Sequence, residues 1–236
     1  MRTKLLMLLS SLLTLFICLS SMFLFSSCGH DDEDMTDEPV VNADVYLSCP
    51  DDHHPHKIDL ALPSGTKWAC CNIGANSPEE YGGYYSWGDT EEKSIYDSDN
   101  YAYNRSLIGD DIAGTQYDVA YVKWGDSWCM PSLEKLRELA DNCIKTWTTQ
   151  NGVNGQLLTG SNGGTIFLPA AGIQSWYGPN YEGKECYFWS SSFRPGDVNS
   201  GSPHWYQAYS YYFYSENTSW NTFYRYIGFS VRAICR

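Results

Sequence analysis

The spacing of apolar and polar residues predicts two helices in the middle of the chain. After Ser132, which can cap a helix, apolar residues recur at helical spacing and charged residues occupy the opposite face. A shorter helix is predicted to begin at the capping-box pattern of residues 115–118, to run to Trp124 and to end at Gly125. The apolar stripe of the longer helix comprises Leu133, Leu136, Leu139, Ala140, Cys143 and Ile144.

Beyond Trp147 the pattern changes to strands and turns. Short apolar strands are predicted at 165–169 and 187–191. Segments 207–214 and 222–234 are predicted to be the arms of a long hairpin whose tip contains 215–217 and Trp220. Two helices followed by antiparallel strands predict an α+β fold with a small antiparallel sheet and long loops.

The N-terminal 27 residues have the layout of a signal peptide. Two basic residues precede an apolar run from Leu5 to Phe25, and small residues follow before Cys28. The end of the run resembles a bacterial lipobox, so we predict a lipoprotein signal peptide over 1–27 and lipidation at Cys28. The run is long enough to span a bilayer, and an uncleaved anchor or a plain secretory signal is the alternative.

Residues 28–56 are predicted to form an acidic flexible stalk, because nine acidic and no basic residues repel one another along it. The acidic cluster after Cys28 resembles the export signal of Bacteroides-type surface lipoproteins, and a solvated spacer is the alternative. We therefore expect a lipid-anchored outer-membrane protein that faces the cell exterior. Three histidines, His53, His54 and His56, could bind zinc or copper weakly, but the segment implies no preformed site and we expect incidental linker residues.

Composition and charge exclude some classes of protein. The formal net charge is −13, and no basic cluster is present, which argues against nucleic-acid binding. Aromatic residues make up 16% of the chain, so most of it is expected to fold. The charge is uneven: residues 145–236 carry four acidic and six basic side chains. The low isoelectric point of the chain therefore arises from the acidic residues of the predicted stalk and of the first half of the domain.

An ordered series of short motifs runs through residues 57–236. It begins with Ile-Asp-Leu-Ala-Leu-Pro-Ser-Gly-Thr-Lys-Trp-Ala at 58–69, followed by Asn-Ile-Gly-Ala at 72–75. This series resembles the Fibrobacter succinogenes major paralogous domain family, with departures at Cys70 and Cys129, where the family usually has Thr and Arg. Further motifs agree in order at 84–88, 114–120, 124–128, 130–132, 167–172, 187–192 and 228–232.

The resemblance implies a C-type-lectin-like domain over 57–236. In that fold the first and last strands pair, two helices flank the sheet, and long loops near the C-terminus carry ligands. Calcium-dependent lectins bind sugar through Glu-Pro-Asn and Trp-Asn-Asp motifs. Residues 178–180 and 220–222 match these motifs except at the carboxylates, so no calcium or other metal site is expected.

The cysteines fit an oxidising compartment. Seven of the nine remain after the signal peptide and the lipidated Cys28 are set aside, and an odd number leaves at least one thiol unpaired within the chain. Cys70 and Cys71 are adjacent and would face opposite sides of a strand, so they should not share a partner. The terminal strand pairing that the resemblance implies favours a disulfide between Cys71 and Cys235, with Cys70 as the other candidate; reduced buried thiols are the alternative.

The motifs do not point to an enzyme or a cofactor. Formylglycine-generating enzymes of this fold use two nearby cysteines late in the domain, whereas Cys186 and Cys235 are far apart in sequence. The serines at 190–192 lack a nucleophile-elbow context, and His204 is a lone loop histidine. We therefore predict no catalytic residues.

Aromatic residues are the best candidates for ligand binding. Residues 145–236 contain 21 aromatic residues, some of which alternate along 209–214 and are expected in the core. Others lie among Gly, Pro, Ser and Asn, where flat rings suit recognition of a glycan or a protein, although each ring could instead fold back onto the core. The candidates are Trp176, Tyr177, Tyr181, Trp205, Tyr206 and Trp220.

These observations predict a cell-surface lipoprotein whose C-type-lectin-like module binds an extracellular glycan or protein. Two alternatives remain open. In the first alternative the domain is a structural or pilus-tip adhesin subunit. In the second it is a hypervariable receptor that a retroelement diversifies.

Overall fold

Antiparallel strands make up most of the structure, which is a computed structural model. It describes residues 55–104, 106–195 and 206–235, all of which belong to the compact unit Val41–Arg236. The predicted signal peptide, Cys28, and the stalk up to residue 54 lie outside the described residues. No helix among the described residues is long and apolar enough to cross a membrane.

The described residues form a strand-rich α+β fold with two helices, as the sequence predicts. The first part contains β1 (Lys57–Asp59), β2 (Lys67–Ala69), α1 (Val119–Trp124), β3 (Trp128–Cys129) and α2 (Leu133–Asn142). The middle part contains β4 (Ile144–Gln150), β5 (Val153–Thr159), β6 (Thr165–Pro169), β7 (Ile173–Ser175) and β8 (Gly178–Asn180). The last part contains β9 (Glu185–Phe193), β10 (Gln207–Tyr214), β11 (Asn217–Tyr224) and β12 (Ile234–Cys235).

The strands of the described ranges form four small sheets, in the orders β1-β2-β12-β3, β4-β5-β6, β11-β10-β9 and β7-β8. The C-terminal strand β12 lies between β2 and β3 and is antiparallel to both. The first and last strands therefore share one sheet, but β12 pairs with the second strand and not with the first. This sheet joins the two ends of the domain.

The β9–β10–β11 sheet separates two apolar cores. Along β10, Tyr211 and Phe213 pack in one core with Leu136 and Leu139 of α2. Ala208 and Tyr212 lie on the other face and pack in the second core, which also contains Trp189. Successive side chains of a strand point to opposite faces, so the dense aromatic sequence of β10 supplies both cores.

The predicted helix after Ser132 is confirmed, but it is shorter than its apolar stripe. The Ser132 hydroxyl accepts a hydrogen bond from the Lys135 amide at 3.3 Å, as expected of an N-cap. The helix ends at Asn142, because Cys143 is extended (φ −117°, ψ 145°). Ile144 begins β4 and is 70% exposed, so its place in the stripe is wrong.

The shorter helix is also present, with a different cap from the predicted one. Asp118, not Thr115, is the N-cap, and its carboxylate accepts hydrogen bonds from the Ala120 and Tyr121 amides. The same buried carboxylate accepts from the Gly114 amide at 2.7 Å and the Met130 amide at 2.9 Å. The Met130 amide, twelve residues away, explains the difference, because the buried Asp118 carboxylate connects α1 to the segment that precedes α2.

The first arm of the predicted C-terminal hairpin is confirmed, but the predicted second arm is wrong. β10 matches residues 207–214, but its partner is β11, and the pair Tyr214–Asn217 leaves a two-residue turn. Trp220 therefore lies within β11 opposite Tyr211 and not at a hairpin tip. The strand ends at Tyr224, where the chain turns because Arg225 enters the core.

The fully buried Arg232 joins segments that are far apart in sequence. Its Nε donates to the Asn72 Oδ1 at 2.8 Å, and its Nη1 donates to the carbonyl oxygens of Ala69 and Cys70 at 3.1 and 3.0 Å. Its Nη2 donates to the Phe167 carbonyl oxygen in β6 at 2.8 Å. A planar guanidinium group can meet all four acceptors at once, which a lysine ammonium cannot do.

We expect Arg232→Lys to lower the free energy of unfolding by at least about 3 kcal/mol, because it leaves buried carbonyl groups unsatisfied and a buried cation poorly paired. Chemical denaturation of the full chain measures this loss. Arg137→Lys, at an exposed position of α2, is the matched control and should change stability by less than about 0.5 kcal/mol. Equal stability of the two variants would contradict the role given to Arg232.

Candidate ligand-binding surface

The candidate surface lies next to Arg225, whose side chain is buried in the core. Its guanidinium group lies over the rings of Trp87, Tyr101 and Phe193, with centroid distances of 5.5, 5.4 and 5.7 Å. Its Nη2 donates to the carbonyl oxygens of Tyr103 and Ser106 at 2.8 and 3.0 Å. Burial lowers the pKa of Arg225, and the cation–π contacts offset part of the desolvation.

The tyrosines on either side of Arg225 lie at the surface. The Ile227 amide donates to the Tyr224 carbonyl oxygen at 3.1 Å, so the chain turns here. The rings of Tyr224 and Tyr226 are nearly parallel, with centroids 5.3 Å apart and an interplanar angle of 8°. Tyr224 is 47% exposed and Tyr226 is half-buried. The burial of Arg225 thus fixes a stacked tyrosine pair at the surface.

A second aromatic pair forms the turn of the β7–β8 hairpin. Ser175 pairs with Gly178, so Trp176 and Tyr177 are the two residues between the strands. Trp176 is 61% exposed and Tyr177 is 73% exposed, and their ring centroids are 3.6 Å apart. The Ser175 hydroxyl donates to the Gly178 carbonyl oxygen at 3.3 Å, which holds the turn closed.

Backbone contacts hold this hairpin against the domain. Gln174 and Gly228 exchange two N–H···O bonds of 2.9 Å. The Gly172 amide donates to the Glu185 carbonyl oxygen at 2.9 Å. Gly172 has a φ of 65°, and a Cβ at this position would overlap the Asn180 carbonyl oxygen, so only glycine fits at the base of the hairpin.

The two aromatic pairs lie near each other. The Gln174–Gly228 bonds join the two segments, and Tyr177 lies three residues after Gln174 while Tyr226 lies two residues before Gly228. Burial raises the pKa of Tyr226. We call the four residues Trp176, Tyr177, Tyr224 and Tyr226 the aromatic tip.

The aromatic tip has the chemistry of a recognition surface. Exposed rings on tight turns lose little conformational entropy on binding, and each combines an apolar face with a polar edge. Tryptophan is highly buried on average, and exposed apolar residues that lie together mark interaction sites more often than single ones do. The arrangement can stack against a sugar ring or pack against an apolar side chain.

The residues that the sequence predicts to bind ligand do not all lie on one surface. Tyr181 is 43% exposed but lies at the base of the hairpin, since it follows Asn180, which pairs with Ile173. Tyr206 is half-buried, and its carbonyl oxygen accepts from the Arg225 amide at 2.8 Å. Trp205 lies outside the described residues. Trp220 is half-buried on the α2 side of the sheet, where its ring packs on Tyr211 at a centroid distance of 4.7 Å.

Sequence reasoning missed Tyr224 and Tyr226. It placed both in a strand arm, and no local signal shows that the arginine between them is buried. The rings that surround Arg225 come from residues 87, 101 and 193, which are distant in sequence.

The described cysteines lie in different surroundings. The Cys186 thiol is fully buried and donates to the Pro169 carbonyl oxygen at 2.6 Å, and burial raises its pKa well above the usual value, which makes it unreactive. Strand register places Cys235 opposite Lys67 and Trp128, whereas the buried Cys71 thiol donates to the Ala75 carbonyl oxygen at 3.4 Å. The Cys71–Cys235 disulfide stays a prediction. No group of three potential metal ligands of the His, Cys, Asp or Glu type occurs among the described residues.

We expect the double variant Trp176→Ala/Tyr177→Ala to keep the wild-type free energy of unfolding within about 1 kcal/mol, because both side chains are mostly exposed and their rings pack on each other. Trp189→Ala, a buried control, should lose at least about 3 kcal/mol. Thermal and chemical denaturation measure both. A large loss in the double variant would mean that the aromatic tip supports the fold and is not available to a ligand.

Comparison of the chain with protein-family models, with curated proteins and with solved structures finds no match in any of the three.

Proposed function

We propose that the protein is a cell-surface lipoprotein whose C-type-lectin-like domain binds an extracellular glycan or protein through the aromatic tip. The observation that carries the proposal is the exposure of Trp176 and Tyr177 on a two-residue turn that the backbone of the domain holds in place. A fixed, exposed tryptophan is a costly feature for a surface without a partner, since it exposes a large apolar area to water.

The geometry of the tip supports binding over a purely structural role. Tyr224 and Tyr226 extend the apolar surface beside the hairpin, and their hydroxyl groups provide hydrogen-bond donors and acceptors at its edge. Aromatic rings bordered by polar groups are typical of the centres of binding interfaces.

Two further observations support the lectin-like part of the proposal. The first and last strands share one sheet, although β12 pairs with β2, and the described residues contain two helices, α1 and α2, the number that the family resemblance implies. The Gly-Phe-Ser-Val-Arg motif at 228–232 contains Gly228 of the hairpin contact and the buried Arg232. The surface location rests on the signal peptide, Cys28 and the acidic stalk of the sequence.

A binding screen tests the proposal. The full chain, purified in detergent, is applied to arrays of glycans and of extracellular proteins, together with Trp176→Ala/Tyr177→Ala. The matched control is Val122→Ala/Ile144→Ala, which removes exposed apolar side chains from α1 and β4. We expect wild type and control to bind the same ligand, and the tip variant to bind at least about tenfold more weakly.

Two results would contradict the proposal. One is the absence of any bound glycan or protein on the arrays. The other is a tip variant that binds as tightly as the control, which would assign recognition to another surface.

A further inference from the structure

A cleft of 420 Å³ lies beside β11 and shares no residue with the aromatic tip. Its described lining comes from α2, from Arg194 directly after β9, from β10 and from β11. Its size is sufficient for one small ligand. The lining residues are Arg137, Arg194, Tyr209, Trp220, Asn221 and Thr222.

The described lining residues carry only positive charge: they include two arginines and no carboxylate. Arg137 is exposed on α2 and forms no ion pair with any other described residue, although Glu134 and Asp141 lie one turn away on the same helix. The cleft therefore favours an anionic ligand, since the guanidinium group matches a carboxylate in geometry and charge.

The second arginine is held in a defined position. The Arg194 Nη1 donates to the Gln207 Oε1 at 2.8 Å and to the Thr222 Oγ1 at 3.2 Å. The Thr222 hydroxyl donates to the same Gln207 oxygen at 3.0 Å. This network fixes both the guanidinium group and the Thr222 side chain before a ligand arrives, which lowers the entropy cost of binding.

The remaining lining suits a sugar ring. Trp220 packs on Tyr211 and also lines the cleft beside the half-buried Tyr209, so aromatic rings are available for stacking. Asn221 and Thr222 supply neutral groups that can bond to hydroxyls. Aromatic rings, neutral hydrogen-bonding groups and a guanidinium group in one small cleft match the apolar face, hydroxyls and carboxylate of an acidic pyranose.

We propose that this cleft binds a carboxylate-bearing sugar of the uronic acid type. Arg137 pairs with the carboxylate, Trp220 stacks against the ring, and Asn221 contacts a hydroxyl group. The site needs no contribution from the aromatic tip, so either site can bind its ligand without the other.

A ligand-observed NMR titration of the full chain in detergent tests the proposal with two matched probes. Methyl β-D-glucuronide carries the carboxylate, and methyl β-D-glucoside has the same ring without it. We expect saturation transfer to the glucuronide with a millimolar Kd, and binding of the glucoside that is at least about tenfold weaker. Raising the salt concentration should weaken glucuronide binding, because ions screen the exposed Arg137.

Two asparagines of β11 provide matched variants. The Asn221 and Asn217 side chains each accept a hydrogen bond of 2.8 Å from the next amide, and both residues are exposed, but only Asn221 lines the arginine-containing cleft. An aspartate preserves this bond at either position. Asn221→Asp should therefore reduce glucuronide binding at least about tenfold by repelling the carboxylate, and Asn217→Asp should leave it unchanged.

Arg137→Gln should also reduce glucuronide binding at least about tenfold, with thermal stability unchanged. The variant Trp176→Ala/Tyr177→Ala tells the two proposals apart, because it should still bind the glucuronide even if it has lost the ligand of the aromatic tip.

Several results would overturn the inference: no saturation transfer at about 20 mM glucuronide, equal binding of the glucoside, equal competition by acetate, or unchanged binding in Asn221→Asp and Arg137→Gln.

Discussion

The buried guanidinium group of Arg232 constrains the positions of the chain segments that form the domain. Removing such a charge from water is unfavourable unless its donors are satisfied, and here the acceptors are an amide oxygen and three backbone carbonyl oxygens at 69–72 and 167. The segment that precedes Arg232 is fixed as a result. Phe229 stacks on Trp189 at 4.3 Å, and Gly228 bonds to Gln174 of the aromatic hairpin. The position of the exposed surface thus follows from a contact deep in the core.

The parts of the fold that depend on local patterns could be predicted from the sequence. The apolar stripe after Ser132 gave α2, and β6 and β10 have the predicted bounds because short apolar or alternating runs define them. The sequence predictions are wrong where contacts with residues distant in sequence determine the local structure. Asp118 replaces Thr115 as the cap because it also binds the Met130 amide, and the second hairpin arm ends at Tyr224 because rings from three other segments enclose Arg225. Trp176 and Tyr177 were predictable from their Gly and Pro neighbours, whereas Tyr224 and Tyr226 were not.

The proposals give the domain two separate binding surfaces with different chemistry. The aromatic tip is apolar with polar edges, whereas the described lining of the cleft is positively charged and partly aromatic. Both belong mainly to residues 145–236, which carry a small net positive charge, while the acidic residues concentrate in residues 28–144. In the proposed function this division gives an acidic tether and a recognition face that accepts neutral or acidic ligands.

Hydroxyl-radical footprinting on intact cells tests the central claim most directly, because it reports both where the domain lies and which side chains face outward. The account predicts strong oxidation of Trp176 and Tyr177 before lysis and none of the buried Trp189. Oxidation of the two tip residues should decrease when a ligand from the array screen is bound. Oxidation of the tip residues only after the cells are broken, or equal oxidation with and without that ligand, would contradict it.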